Sequence, residues 1–188
     1  MEAVLNDRKI AVLATDGFEQ SELEEPVKAL REAGAKVEVV SLHEGEIRGW
    51  KKTDWGTAVS VDKTLDDVTV GDYDGLVVPG GQINPDLLRA DPRAVDFVRG
   101  FHDARKPIAA ICHGPWLLVE AGIAAGRRMT SYKSIKTDVK NAGAEWIDAE
   151  VVVDEGILTS RQPDDLPAFC AKLVEEMAEG RHEAREIG

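Results

Sequence analysis

Cysteine is nearly absent from this chain, with only Cys112 and Cys170 in 188 residues. Two cysteines are no disulfide framework, so each is judged by its surroundings. No apolar run approaches the roughly 18 residues that span a bilayer. The opening MEAVLNDRKI lacks the charged, apolar and small-residue blocks of a signal peptide, and the expected location is the cytoplasm. Basic charge is also scarce: 23 Lys and Arg stand against 35 Asp and Glu, a net charge of −12. Such a surface repels phosphates and anionic lipid, so neither nucleic acid nor membrane is an expected partner. No GxGxxG fingerprint follows the first strand, and no organic cofactor is expected.

What is present is alternation. Lys9 to Ala14 is a short apolar run ending in a turn, as expected of a buried strand. Leu23, Val27, Leu30 and Ala33 then recur at helical spacing before Gly34, and Pro26 either opens that helix or kinks it. Lys36 to Leu42 alternates as a strand. Glu44 to Asp62 has weak periodicity and suggests a hairpin. Gly75 to Val78 and Pro107 to Ile111 are further buried strands, with helical patterns in Pro85 to Arg105 and in the segment after Pro115. A short helix around Ile135 to Ala142, two strands at 151–153 and 156–159, and a helix from about Asp165 to Gly180 complete the chain. The pattern predicts a single α/β domain over residues 1–188, with a mostly parallel sheet covered on both faces. In such sheets functional groups gather beyond the carboxyl ends of strands. Three ends stand out: Asp16 to Glu22, Pro79 to Asn84 and Cys112 to Pro115.

The third is a candidate nucleophile elbow. A sharp strand-to-helix turn needs small residues two positions either side of its apex, and Ala110 and Gly114 supply them around Cys112. The amino end of the following helix is expected to favour a thiolate, the attacking form. The competing reading is a small buried apolar side chain, which better suits Cys170 on the stripe of Leu166, Phe169, Leu173 and Val174. A metal site at Cys112, His113 and Glu22 lacks ordinary ligand spacing, and none is expected. His43 is read as a polar strand end, and His102 and His182 as solvated.

Together, Ile111-Cys112-His113-Gly114-Pro115, Val78-Pro79-Gly80-Gly81, Phe18-Glu19-x-x-Glu22-Leu23, Thr130-Ser131-Tyr132 and Asn141-Ala142-Gly143-Ala144-Glu145-Trp146 resemble the PfpI family. That family belongs to the ThiJ/PfpI (DJ-one) superfamily, with a class I glutamine amidotransferase-like fold. The resemblance runs from about Lys9 to Leu173, and the Glu44 to Val61 region and the tail after Gly180 depart from it. It implies a flavodoxin-like three-layer, doubly wound sandwich. It implies catalytic Cys112 and His113, with the Glu22 carboxyl touching the thiol and Glu19 close by. It implies an oxyanion hole from the N–H groups of Gly81 and His113, Tyr132 lining the pocket, and Asp86 reaching a neighbouring subunit's histidine in a homo-oligomer. Glu19 and Glu22 also read as an acidic first helical turn, and Asp86 as a helix cap.

Three functions fit these residues. The first is cysteine-dependent deglycase or glyoxalase chemistry on a small aldehyde such as methylglyoxal, or on a glycated protein. The second is an intracellular cysteine peptidase. The third is a redox-sensing stress protein or chaperone without turnover.

Overall fold

In the computed structural model, residues 3–181 are described; Met1, Glu2 and 182–188, including His182, lie outside them. The chain runs β1 (Lys9–Leu13), α1 (Gln20–Glu32), β2 (Lys36–Ser41), β3 (Glu46–Lys51), β4 (Asp54–Ser60), β5 (Lys63–Thr64), β6 (Gly75–Val78), α2 (Ile83–Arg89), α3 (Pro92–Asp103) and β7 (Ile108–Ile111). It continues α4 (Trp116–Glu120), β8 (Arg128–Met129), α5 (Lys136–Asn141), β9 (Glu145–Trp146), β10 (Val152–Asp154), β11 (Ile157–Ser160) and α6 (Leu166–Glu179).

Seven strands form one sheet in the order β10-β11-β7-β6-β1-β2-β5. All neighbours are parallel except β10, which folds back antiparallel on β11. Alternate residues of the central strands feed two separate cores. Ile10, Val12, Val77 and Ala109 pack under α1 and α6, against Leu23, Leu30, Phe169 and Leu173. Ala11, Leu13, Leu76 and Ala110 face the other way, against Val95, Phe97, Phe101 and Leu117. Each large side chain buried this way stabilises the fold by about 1.5–3 kcal/mol before entropy is counted. The result is a three-layer α/β sandwich, as the alternating pattern predicts.

Several local expectations change. Pro26 does not open α1; it lies inside the helix, buried, with Glu19 as N-cap. The helical stretch at 85–105 is two helices, broken where Asp91 caps α3 and Pro92 opens it. The hairpin at 44–62 is β3–β4, which joins the body where Trp50 N–H donates to the Phe18 carbonyl at 2.7 Å. Cys170 is only partly buried, on the flank of the α6 stripe rather than in its centre. Burial, then nearby Glu25, pushes its thiol up to about 11. Among the described residues no helix is long and apolar enough to cross a membrane.

The chain reverses direction across the sheet between β1 and β6: β2 lies to one side of β1 and β6 to the other. Such a switch point opens a crevice at the carboxyl ends of the strands. The loops after β1, β6 and β7 meet there.

Candidate active site

Cys112 follows β7 with φ of +63°, a left-handed conformation that costs a non-glycine residue about 1 kcal/mol or more. The turn is fixed from three sides. Cys112 N–H donates to the Ser160 carbonyl at 3.0 Å, Gly114 N–H donates to Ile111 at 2.9 Å, and the Cys112 carbonyl accepts from Tyr132 N–H at 2.8 Å. The spacing rule has a direct cause here. A Cβ on Gly114 would lie 2.6 Å from the Val78 carbonyl oxygen and 2.9 Å from that of Ile111. Both obstacles are backbone, so Gly114→Ala is expected to destabilise the protein by about 2 kcal/mol or more, read as a lowered urea midpoint. An unchanged midpoint would show that the elbow is not closed as described.

Glu22 enters from the first turn of α1 and is fully buried. Its Oε1 accepts the Gly80 N–H at 3.0 Å, while Oε2 is buried without a hydrogen-bond partner of ordinary geometry. Gly80 has to be glycine, because a Cβ would sit 2.4 Å from Glu22 Oε1 and 2.7 Å from Cys112 Cβ. The carboxyl and the thiol therefore share one small space. Burial, reinforced by the charge of Glu19, pushes Glu22 up to about 8, against the pull of Cys112 and of the Gly80 and Gly81 N–H groups. Burial, followed by the charge of an ionised Glu22, also pushes Cys112 well above the ordinary thiol range; the Gly81 and His113 N–H groups pull it down. The second of these upward pushes exists only after Glu22 has lost its proton. With the Glu22 carboxyl pushed up to about 8, that charge is largely absent at pH 7, and burial remains the main upward push on the thiol.

The expected cause of thiol activation needs correction. The helix after the elbow, α4, has five residues and begins only at Trp116. Its dipole is too short to carry the effect. The groups that favour a charged sulfur are the Gly81 and His113 N–H groups.

His113 faces the sulfur, with Nδ1 3.2 Å from Cys112 Sγ and Nε2 3.3 Å from Ser134 Oγ. Tyr132 stacks on the imidazole at 4.9 Å between centroids, and Trp116 meets it edge-on at 5.1 Å. Burial lowers the His113 pKa, which favours the neutral ring. Gly81 has φ of +80° and no room for a Cβ against the Gly17 carbonyl oxygen.

The remaining expected residues divide. Glu19 does not reach the thiol; its carboxylate caps α1 through the Glu22 N–H at 2.9 Å and acts on Glu22 through its charge. Asp86 lies on the exposed side of α2, bonded to Arg89 at 2.9 Å, away from the sulfur of its own chain. Among the described residues no cluster of three or more His, Cys, Asp or Glu is arranged to hold a metal.

Sequence reasoning missed Asn84 and Ser134. Asn84 is fully buried; its amide donates to the carbonyls of Pro79 at 3.0 Å and Gly80 at 3.3 Å, and its oxygen accepts Thr15 N–H at 2.7 Å. It ties the β1 loop to the Gly80–Gly81 turn. The Asn-Pro pair signals a turn in the sequence, but only the fold brings Thr15 to it.

Known proteins share this arrangement of chain. The sequence profile of the DJ-1/PfpI family matches residues 8–176. Protein/nucleic acid deglycase 2 of Escherichia coli (strain K12) is 49% identical over 163 residues, covering 86% of this chain and 93% of that protein. General stress protein 18 of Bacillus subtilis (strain 168) is 49% identical over 164 residues, with 86% and 93% covered. The crystal structure of Drosophila melanogaster DJ-1beta superposes with a TM-score of 0.82 at 32% identity, over 91% of this chain and 90% of that one.

Proposed function

The chain belongs to the DJ-1/PfpI family, and on that premise we propose that it is a stress-protection enzyme whose Cys112 hydrolyses methylglyoxal, or the early adducts that aldehyde forms on proteins. One observation carries the reading. A thiol and a proton-bearing carboxyl share a buried space, with the N–H groups of Gly81 and His113 directed at the sulfur. The names of the two relatives, a deglycase and a general stress protein, support it.

The steps follow from the residues. His113 Nδ1 accepts the thiol proton, and the thiolate adds to the aldehyde carbon. The oxyanion that forms is stabilised by the Gly81 and His113 N–H groups. Glu22 and His113 then move the proton of that carbon to the neighbouring carbonyl carbon, which leaves a thioester. Water hydrolyses the thioester, releasing lactate and restoring the thiol. Methylglyoxal plus one water is lactic acid, so no oxidant or reductant is required. A glycated amine follows the same course, with the free amine as a second product. Purified protein incubated with methylglyoxal is expected to accumulate lactate with turnover. Loss of aldehyde without lactate, stopping at one equivalent, would sink the reading and leave a thiol that merely scavenges.

Peptide hydrolysis is the second reading, and the 3.2 Å approach of His113 Nδ1 to the sulfur favours it. A histidine that follows its cysteine in the chain need not face the thiol, and this one does. The buried carboxyl still argues for aldehydes, because amide cleavage needs no acid at the sulfur. Cleavage of fluorogenic peptides faster than lactate formation would reverse the order.

The functional unit in this proposal is a homo-oligomer in the cytoplasm. Ile83 and Leu87, 38% and 45% exposed, flank Asp86 on α2, where a second copy would cover them and receive its carboxylate. Leu87→Glu is expected to shift the protein to monomer in light scattering. A wild-type monomer would remove Asp86 from the site.

A further inference from the structure

The imidazole of His113 is held more completely than its place beside the nucleophile requires. Tyr132 covers one side at 4.9 Å with 26° between planes, and Trp116 stands against the ring at 5.1 Å and 70°. Trp116 is itself fixed, its Nε1–H donating to Asp138 at 2.9 Å and its face lying 4.1 Å from the Arg89 guanidinium. One ring nitrogen meets Cys112 Sγ, and the other meets Ser134 Oγ. Tyr132 and Ser134 lie on the same loop, which is anchored at Cys112 by the Tyr132 N–H bond and to Trp146 through the Ser131 hydroxyl, 2.9 Å from Trp146 Nε1.

We propose that Ser134 is the positioning residue of the pair, fixing the proton of His113 on Nε2 so that Nδ1 presents its lone pair to the Cys112 thiol. The inference rests on the reading of Cys112 and His113 as the reacting pair, and adds a within-chain partner for the histidine. A neutral imidazole has one donor and one acceptor nitrogen, set by what the other nitrogen bonds. With Ser134 Oγ accepting from Nε2–H, only Nδ1 is free to take the thiol proton. The same bond persists after transfer, when both ring nitrogens carry hydrogen and Oγ receives a donor of the imidazolium. The hydroxyl thus serves both ends of the proton transfer from within the chain.

The experiment is alkylation of Cys112 by iodoacetamide as a function of pH, on the full chain, with Cys112→Ser subtracting the reaction of Cys170. Ser134→Ala removes the acceptor and is expected to move the alkylation midpoint up by about 0.5–1 pH unit, slowing the reaction at pH 7 by about 3–10-fold. Ser134→Thr keeps the hydroxyl and is expected to restore the wild-type midpoint. Ser134→Asp places a charge on Nε2 and is expected to move the midpoint down. Nitrogen-15 spectra of labelled histidine are expected to show the Nε2–H form of His113 in wild type and Ser134→Thr, and a mixture in Ser134→Ala. An alanine and an aspartate variant that both titrate as wild type, with an unchanged tautomer, would overturn the inference while leaving the Cys112–His113 reading intact. A wild-type Cys112 that resists iodoacetamide at every pH would instead overturn that reading.

Discussion

Cys112→Ser is expected to abolish lactate formation from methylglyoxal, a fall of about 1,000-fold or more, with the fold unchanged. Serine is nearly isosteric and occupies the same left-handed turn, so the elbow and its backbone bonds survive. The hydroxyl, unlike the thiol, is far too weak an acid for the His113 imidazole to take its proton to a comparable extent. The Glu22 carboxyl, the Gly81 and His113 N–H groups and the stacked imidazole all remain in the variant. What is lost is the attacking atom alone. The check is enzymatic lactate determination after gel filtration of both proteins, with far-ultraviolet circular dichroism to confirm folding. Lactate formation equal to wild type would mean that the chemistry lies elsewhere on the molecule.

The second large effect concerns stability. Glu22 is buried and its carboxyl is held near 8, against the usual 4.5. The folded protein therefore keeps a proton that the unfolded chain has released between pH 4.5 and 8. Stability falls with rising pH wherever the folded state binds more protons. This one group is expected to cost about 4 kcal/mol by pH 8 relative to pH 4.5, with no further change once pH passes the folded value. Glu22→Gln removes the titration and keeps the hydrogen bonding: its oxygen accepts from Gly80 N–H and its amide donates toward the sulfur. The variant is expected to unfold about 5–10 °C above wild type at pH 8 and close to wild type at pH 5, read by calorimetry across that range. A variant less stable than wild type at pH 8 would mean that the carboxyl is ionised and well satisfied. Wild type thus tolerates a destabilising acid at the sulfur, as expected where a group is kept for chemistry.

The sequence carried much of this because its strongest signals are steric. The glycine and alanine around Cys112 record the closeness of the Val78 and Ile111 carbonyl oxygens, and the elbow is legible from spacing alone. The apolar strands are equally plain, since each is buried on both faces. Glu22 is different. Its spacing also fits an acidic helix turn, and only the neighbourhood of β1, β6 and β7 brings it to the sulfur. Motif resemblance located it where periodicity did not. Glu19 shows the opposite: the same motif places it near the site, yet it caps the helix and acts only through charge. Ser134 left no signal, because it is a short polar side chain in a polar stretch whose partner lies 21 residues away, and the Asn-Pro pair at Asn84 signals a turn but not its bond to Thr15, 69 residues away. The strands β8 and β9, two residues each, are too short for any period to mark. The helix-dipole expectation failed for another reason: the segment after Pro115 reads as a helix and is one, but it has only five residues and three more separate it from Cys112.

The claim beneath all of this is that the Cys112 thiol and the Glu22 carboxyl share one buried space and titrate as a coupled pair, the thiol giving its proton to His113 when it reacts. Ultraviolet titration of thiolate absorbance, taken as wild type minus Cys112→Ser, isolates that sulfur from Cys170, whose thiol ionises only near 11. The account predicts a Cys112 midpoint above the ordinary value of about 8.5, and that Glu22→Gln, which removes the carboxylate charge, lowers it. A wild-type midpoint at or below about 8.5 that Glu22→Gln leaves unmoved would contradict it.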